Sequence, residues 1–262
     1  MTGKLSVQTV LFEYHGQKYK VFLACDKRHV GCNELNPLYF LDANRHFETL
    51  IKAGYHGDDV SPVLYIGIGY QEGVDIKAAR TFDYTVSDGS ERFKDGGGAE
   101  QFYRFIQDVV KPWVECRFKV NKQMQTLAGH SFGGHFTLYV AFHHQTAFQR
   151  YVAASPALWW ANGAVLPEGD VKLAASIDWL SLLLGSREER AEPDSTDLEK
   201  EIFQRIGDNP RLKVRNLASQ LVKDGERCSF EFLPGRKHPA VAKDYARIAN
   251  FVASQKPLPT GL

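Results

Sequence analysis

Gln125-Thr126-Leu127-Ala128-Gly129-His130-Ser131-Phe132-Gly133-Gly134 is the stretch whose reading decides the fold. Gln125 to Ala128 is a short apolar run, the pattern of a strand buried on both faces. Beyond the Gly133-Gly134 pair, Phe136 to His144 reads as a helix. Between them Ser131 sits in a Gly129-x-Ser131-x-Gly133 pentapeptide. Strand, serine and helix in that order predict the sharp turn known as a nucleophile elbow, which lifts a serine hydroxyl above the end of a sheet. The reason for the glycines is steric. The turn forces strained dihedrals on Ser131, and strand and helix approach closely only if the residues two before and two after it are small. Amides at the helix N-terminus then face the serine oxygen and favour negative charge developing there.

Outward from this turn the chain alternates between short apolar runs and helical patterns. Thr9 to Tyr14 and Tyr19 to Ala24 are β-rich and separated by His15-Gly16-Gln17, which predicts an antiparallel hairpin at a sheet edge. Leu38 to Leu41, Val63 to Ile68, Tyr151 to Ala154, Leu180 to Leu184 and Ser229 to Leu233 suit buried strands of a largely parallel sheet. From Ala99 to Val114, Phe102, Phe105, Ile106, Val109, Val110 and Trp113 recur at helical spacing and make one apolar face. Ala240 to Ser254 closes the chain with Tyr245, Ile248, Ala249 and Val252 on one side. The order β-β-β-α-β-α-β-α-β predicts an α/β fold with a doubly wound, twisted sheet and helices on both faces. No internal repeat or Ser/Pro-rich linker divides residues 1–262, so the expectation is a single domain. The charged segment Glu188 to Gln220, interrupted by Pro193 and Pro210, is expected to be a helical excursion over one face.

Composition narrows the function. The chain of 262 residues is 44% hydrophobic and 24% charged, ordinary for a globular protein and unlike a disordered one. Its 32 Lys and Arg against 31 Asp and Glu give no basic field for nucleic acid or an anionic membrane. No run approaches the roughly 18 apolar residues of a membrane span, and Met1 to Gln8 lacks a signal-peptide core. These features lead us to expect a cytoplasmic protein with no nucleic-acid or membrane partner. Cys25, Cys32, Cys116 and Cys228 form no C-x-x-C pair, which argues against a zinc site or a disulfide framework. No metal or organic cofactor is expected.

A serine hydroxyl needs a base to take its proton, and with an elbow of this kind the base follows the last strand. His238 fits, standing after Phe230-Glu231-Phe232-Leu233-Pro234-Gly235 and before the closing helix. His143 and His144 lie at the far end of the elbow helix, roughly 18 Å along it at 1.5 Å per residue, too far to serve. His130 and His135 flank the elbow as packing or pocket residues. An acid to hold the imidazole is expected after the penultimate strand, where Glu188 and Glu189 are both available; Glu188 is preferred, with Asp194 and Asp197 more remote. The oxyanion hole calls for the Phe132 amide and one from Leu41-Asp42-Ala43-Asn44-Arg45-His46, donated by Ala43 or Asn44. Arg80, read as lying in a loop on the same edge, is a candidate to hold an anionic or phenolic oxygen, or else to pair with Asp83. Trp159 and Trp160 could stack on aromatic rings of a substrate or pack over the elbow helix.

Together these residues resemble an esterase family of α/β-hydrolases that includes the trilactone-siderophore esterases of enterobactin and salmochelin type. The landmarks are Pro37 to Asn44, Ile68-Gly69-Tyr70, Arg80 to Thr85, Gly97-Gly98-Ala99, Gly129 to Gly134 and Ser155-Pro156-Ala157-Leu158-Trp159-Trp160. The resemblance implies Ser131 as nucleophile, His238 as base, Arg80 lining the substrate pocket and Asn44 completing the oxyanion hole. The chain departs from that family's usual pattern at Ala43, where glycine is common, and at Pro239, which stiffens the loop after the base. Some members of that group work with a Ser-His dyad alone. The activity expected is serine carboxylic-ester hydrolysis through an acyl-serine intermediate, on a small-molecule ester of the catecholate trilactone or a related type. The alternatives are an acyltransferase, or a short-chain thioesterase or S-acylglutathione hydrolase.

Overall fold

His15 and Gly16 both have positive φ, 48° and 79°, the backbone of a two-residue hairpin turn whose twist matches the flanking strands. They join β1 (Leu5–Tyr14) to β2 (Gln17–Asp26) in the computed structural model, which describes residues 5–29, 31, 34–54 and 60–256. β3 (Asn36–Phe40) and β4 (Val63–Tyr70) follow, and β4 pairs antiparallel with β2 but parallel with β3. β5 (Thr126–His130), β6 (Arg150–Ala154), β7 (Trp179–Gly185) and β8 (Cys228–Leu233) continue in parallel, giving the order β1-β2-β4-β3-β5-β6-β7-β8. The expected strands and the edge hairpin are therefore present.

Every residue of β3, β5 and β6 is buried, as a parallel sheet covered on both faces requires. Alternation along each strand divides the core into two layers. Tyr39, Leu127, Tyr151 and Ala153 face one layer; Leu38, Phe40, Ala128 and Val152 face the other. The helices are α1 (Ala43–Lys52), α2 (Ile76–Tyr84), α3 (Ala99–Arg104), α4 (Lys111–Glu115), α5 (Phe132–His143), α6 (Asp197–Asp208), α7 (Val214–Lys223) and α8 (Val241–Ser254). α3, α5 and α7 contribute to the first layer; α1 and α8 cover the second.

Four details differ from the sequence reading. The helix expected over Ala99 to Val114 is interrupted by a π-helical segment, Phe105–Val110, between α3 and α4. Pro112 accounts for it, because proline lacks an N–H and crowds the carbonyl four residues back, so the preceding turn widens. α1 and α2 are additional helices; the buried side of α1 is only Ala43, His46, Phe47 and Leu50, too short and too polar to stand out as a stripe. α5 begins at Phe132, not Phe136, and carries Gly133 and Gly134 inside it. Of the segment 188–220, only α6 is an excursion with no buried residue. α7 is the crossover from β7 to β8 and buries Val214, Leu217, Ala218 and Leu221.

Among the described residues no helix is long and apolar enough to cross a membrane. Cys25, Cys116 and Cys228 are free thiols, and Cys32 lies outside the described residues, as do Met1 to Lys4.

α2 carries a wholly buried carboxyl, Asp83, which accepts a hydrogen bond from Tyr70 Oη at 3.0 Å. Burial pushes its pKa up to about 7, against the opposing pull of the Tyr70 hydroxyl. An unfolded aspartate titrates near 3.9. The folded chain therefore retains the proton longer, and the stability contributed below the unfolded value is lost as pH rises through the folded one. Asp83→Asn removes this dependence. Relative to the wild type, the variant is expected to gain on the order of 3–4 kcal/mol between pH 4 and pH 8, since each tenfold change in acidity is worth about 1.4 kcal/mol. Urea melts across that range check it; a difference independent of pH would mean that Asp83 keeps an ordinary acidity.

Candidate active site

Three residues with left-handed backbone stand at neighbouring carboxyl ends of the sheet: Asp42 after β3 (φ 55°), Ser131 after β5 (φ 63°) and Ser155 after β6 (φ 43°). Such strain persists only where the surroundings hold it. At Ser131 they do. Its N–H donates to Ala154 O at 2.9 Å, and its own carbonyl accepts from His135 N at 2.9 Å. A Cβ on Gly129 would lie 2.1 Å from Gly133 O, and one on Gly134 would lie 2.8 Å from Ala154 O. The closeness expected of the elbow is thus real, and it fixes the serine at the mouth of a cleft.

His238 opens into the same cleft from the turn before α8. Its Nδ1 donates to Glu188 Oε2 at 2.5 Å, which leaves Nε2 as the basic edge. Glu188 ends a 3-10 turn, Ser186–Glu188, directly after β7, and its side chain is almost fully buried. Its other oxygen, Oε1, accepts from Gly185 N at 2.8 Å and from Ser155 Oγ at 2.7 Å. A Cβ on Gly185 would lie 2.8 Å from Oε1, so glycine there lets the carboxylate fold back on its own strand end. Glu189 points elsewhere and makes a two-pronged pair with Arg215 at 2.8 Å. Asp194 pairs with Lys237, and Asp197 with Lys200. Glu188 is therefore the carboxylate brought to the imidazole.

The turn bearing His238 is tied to the turn bearing Glu188 at Gly235 N to Ser186 Oγ (2.8 Å) and Arg187 N to Arg236 O (3.1 Å). Pro239 falls in the first turn of a 3-10 helix, where a missing N–H costs nothing. His130 adds a third support. Its Nε2 donates to the His238 carbonyl at 3.1 Å, and burial first, then the His238 and His46 imidazoles, push its pKa well below the ordinary histidine value. His135 is sealed in the core with Nδ1 on Ala157 O, which leaves it remote from the cleft. These supporting contacts were beyond sequence reasoning: Ser155 and His130 fall within quoted landmarks, but nothing in the sequence indicates that they reach Glu188 and His238.

Two helix N-termini meet the serine turn. α5 starts at Phe132 and α1 at Ala43, so the amides of Phe132, Ala43 and Asn44 belong to first turns, which have no partner within their own helix. The residue with positive φ in the loop is Asp42, so Ala43 is helical and needs no glycine. The Asn44 side chain clamps the end of β4, donating to Tyr70 O at 2.9 Å and accepting from Tyr70 N at 2.7 Å.

Arg80 requires correction. It lies on α2 rather than in a loop, and its partner is Asp42, not Asp83, through Nε to Oδ1 at 2.9 Å and Nη2 to Oδ2 at 2.8 Å. The guanidinium is committed to that carboxylate and does not line the cleft beside Ser131. Trp160 likewise turns away. Its Nε1 donates to Val86 O at 2.7 Å, and its ring packs on Phe93 and Phe132. Trp159 does line the cleft, a space of about 600 Å³ lined also by Ile202, Phe203 and Ile206 of α6.

The sequence model of the family described as "Putative esterase" matches residues 13–225. The chain belongs to that family. This esterase is 33% identical over 223 residues to the ferri-bacillibactin esterase BesA of Bacillus subtilis, covering 78% of this chain and 73% of that one. It is 31% identical over 224 residues to the siderophore enterobactin esterase of Emericella nidulans, covering 75% and 74%. Among solved structures, the siderophore hydrolase EstB from Aspergillus nidulans superposes with a TM-score of 0.76 at 25% identity, over 97% of this chain and 96% of that one. The BES protein from Bacillus cereus superposes at 0.74 with 24% identity, over 98% and 97%, which shows a shared fold.

Because Glu188 is the one carboxylate among the described residues that reaches the imidazole, Glu188→Gln is expected to lower kcat on p-nitrophenyl acetate by about 10²- to 10⁴-fold, while Glu189→Gln stays within about twofold. Steady-state kinetics on folded variants check this. Equal and small losses would make the site a Ser-His dyad.

Proposed function

We propose that this esterase cleaves carboxylic esters of siderophore type, catecholate trilactones included, through an acyl-enzyme on Ser131. The observation that carries the reading is the short Glu188–His238 hydrogen bond in the cleft that Ser131 opens into. In the proposed cycle, Ser131 Oγ attacks the ester carbonyl while His238 Nε2 takes its proton, and Glu188 balances the imidazolium through Nδ1. Negative charge developing on the carbonyl oxygen faces the Phe132 amide and that of Ala43 or Asn44. His238 then returns the proton to the leaving alcohol. Water, deprotonated by the same imidazole, releases the acid and restores the serine. Every proton is moved by the chain's own residues.

The substrate class rests on two supports. The named activities of the relatives are siderophore ester hydrolyses, and the cleft offers Trp159 and Phe203 as flat apolar walls for aromatic acyl arms. The whole chain is taken as one catalytic domain, with α6 as the roof of the site.

Ser131→Ala is expected to abolish turnover, by about 10⁶-fold, with the fold intact. His238→Ala should be nearly as damaging, and the double variant scarcely worse, because residues acting as one unit are not additive. Additive losses would mean that His238 is not the base. A panel of iron-loaded and iron-free catecholate trilactones, S-acyl glutathione and p-nitrophenyl acetate, with and without an alcohol acceptor, tests the substrate. The highest kcat/KM is expected on a trilactone; preference for the thioester, or transfer to the alcohol, would overturn the assignment.

A further inference from the structure

An aspartate at the N-cap of a helix ordinarily turns its carboxylate onto the helix's first amides. Asp42 occupies the N-cap of α1 with left-handed backbone (φ 55°, ψ 39°), and its side chain makes no cap. Both its oxygens are taken by Arg80, whose side chain is mostly shielded from solvent. The same helix holds the backbone of the turn as well, since Asp42 N donates to Tyr84 Oη at 3.3 Å. Arg80 Cζ also lies 5.4 Å from the ring centre of Phe132, the residue following the serine. A Cβ on Gly133 would sit 3.6 Å from Asp42 Oδ2, so the carboxylate rests against the first turn of α5. A negative charge is thus stored where the two oxyanion-facing helix starts converge.

We propose that Arg80 is a positioning residue for ester hydrolysis: by engaging both oxygens of Asp42 it keeps that carboxylate off the first amides of α1 and neutralises it beside the developing oxyanion. This rests on the reading of Ser131 as nucleophile. Released from Arg80, the Asp42 carboxylate would be free to turn toward the first amides of α1 and α5 and compete for the donors the oxyanion requires. It would also repel the charge on the tetrahedral intermediate. The loss would fall on the chemical step, whatever the charge of the substrate.

The test compares p-nitrophenyl acetate with the anionic 4-nitrophenyl hemisuccinate. Arg80→Gln is expected to lower kcat by about 10²- to 10³-fold on both esters, the loss typical of one oxyanion donor, with KM within about threefold. Adding Asp42→Gly, which accepts the positive φ and removes the competing carboxylate, is expected to recover at least tenfold of kcat. Arg80→Lys keeps the charge without the two-pronged grip, and should fall between wild type and Arg80→Gln; it serves as the measured variant if Arg80→Gln does not fold. A rise in KM confined to the anionic ester would instead make Arg80 a substrate anchor and overturn the proposal. Equal losses on both esters with no recovery in the double variant would overturn it too, reducing the pair to a structural bridge. Ser131→Ala in the same assay keeps the two readings apart: if it retains activity, the nucleophile assignment has failed, whereas if it is inactive the Arg80 outcomes stand by themselves.

Discussion

The approach of α5 to β5 at Gly129 and Gly133 is the constraint on which the rest of the molecule depends. A single Cβ at Gly129 would overlap the Gly133 carbonyl at 2.1 Å. Without that closeness the chain could not turn from strand to helix within one residue, and Ser131 would not be held at a φ of 63°. The cost of the strained residue is spread over the neighbouring strand, whose end accepts the Ser131 N–H. Rigidity at Ser131 is thus borrowed from the central sheet, where β3, β5 and β6 are buried at every position.

Around this turn, each residue of the proposed catalytic set is held by a neighbour that the proposed mechanism does not use. Glu188 is anchored by Ser155 and by the Gly185 amide, so the carboxylate presents one oxygen to His238 while the other is already satisfied. His238 is held through its own carbonyl by His130, which burial keeps neutral and therefore able to donate without adding charge. The strand ends at Asp42, Ser131 and Ser155 carry this arrangement in register, because adjacent parallel strands end at the same edge of the sheet. That edge is where open α/β sheets collect their ligands.

The periphery is built differently. α6 buries none of its residues, yet it turns Ile202, Phe203 and Ile206 over the cleft and is tethered by Arg92 to Glu201 and by Arg205 to Asn162. Its apolar side lines the open cleft, whereas α7, in the same stretch of sequence, is locked into the core by Val214, Leu217 and Leu221. α6 (DLEKEIFQRIGD) is the more highly charged of the two and buries nothing, whereas α7 (VRNLASQLVK) buries one apolar face.

The sequence by itself determined the parts governed by local rules. β-rich segments and short apolar runs revealed the strands, His15-Gly16-Gln17 the hairpin, and the Gly129-x-Ser131-x-Gly133 spacing the tight turn from strand to helix, because each follows from steric limits within a few residues. His238 was legible too, since chain order places it after the last strand. Sequence reasoning preferred Glu188 to Glu189 without a spatial ground; in space one reaches the imidazole and the other reaches Arg215. The partner of Arg80 lay 38 residues away on another element and not three residues along its own helix. Trp159 and Trp160 are adjacent in the chain, yet only the first faces the cleft. Side-chain direction and long-range ion pairing depend on how the layers pack, and tertiary structure alone decides that.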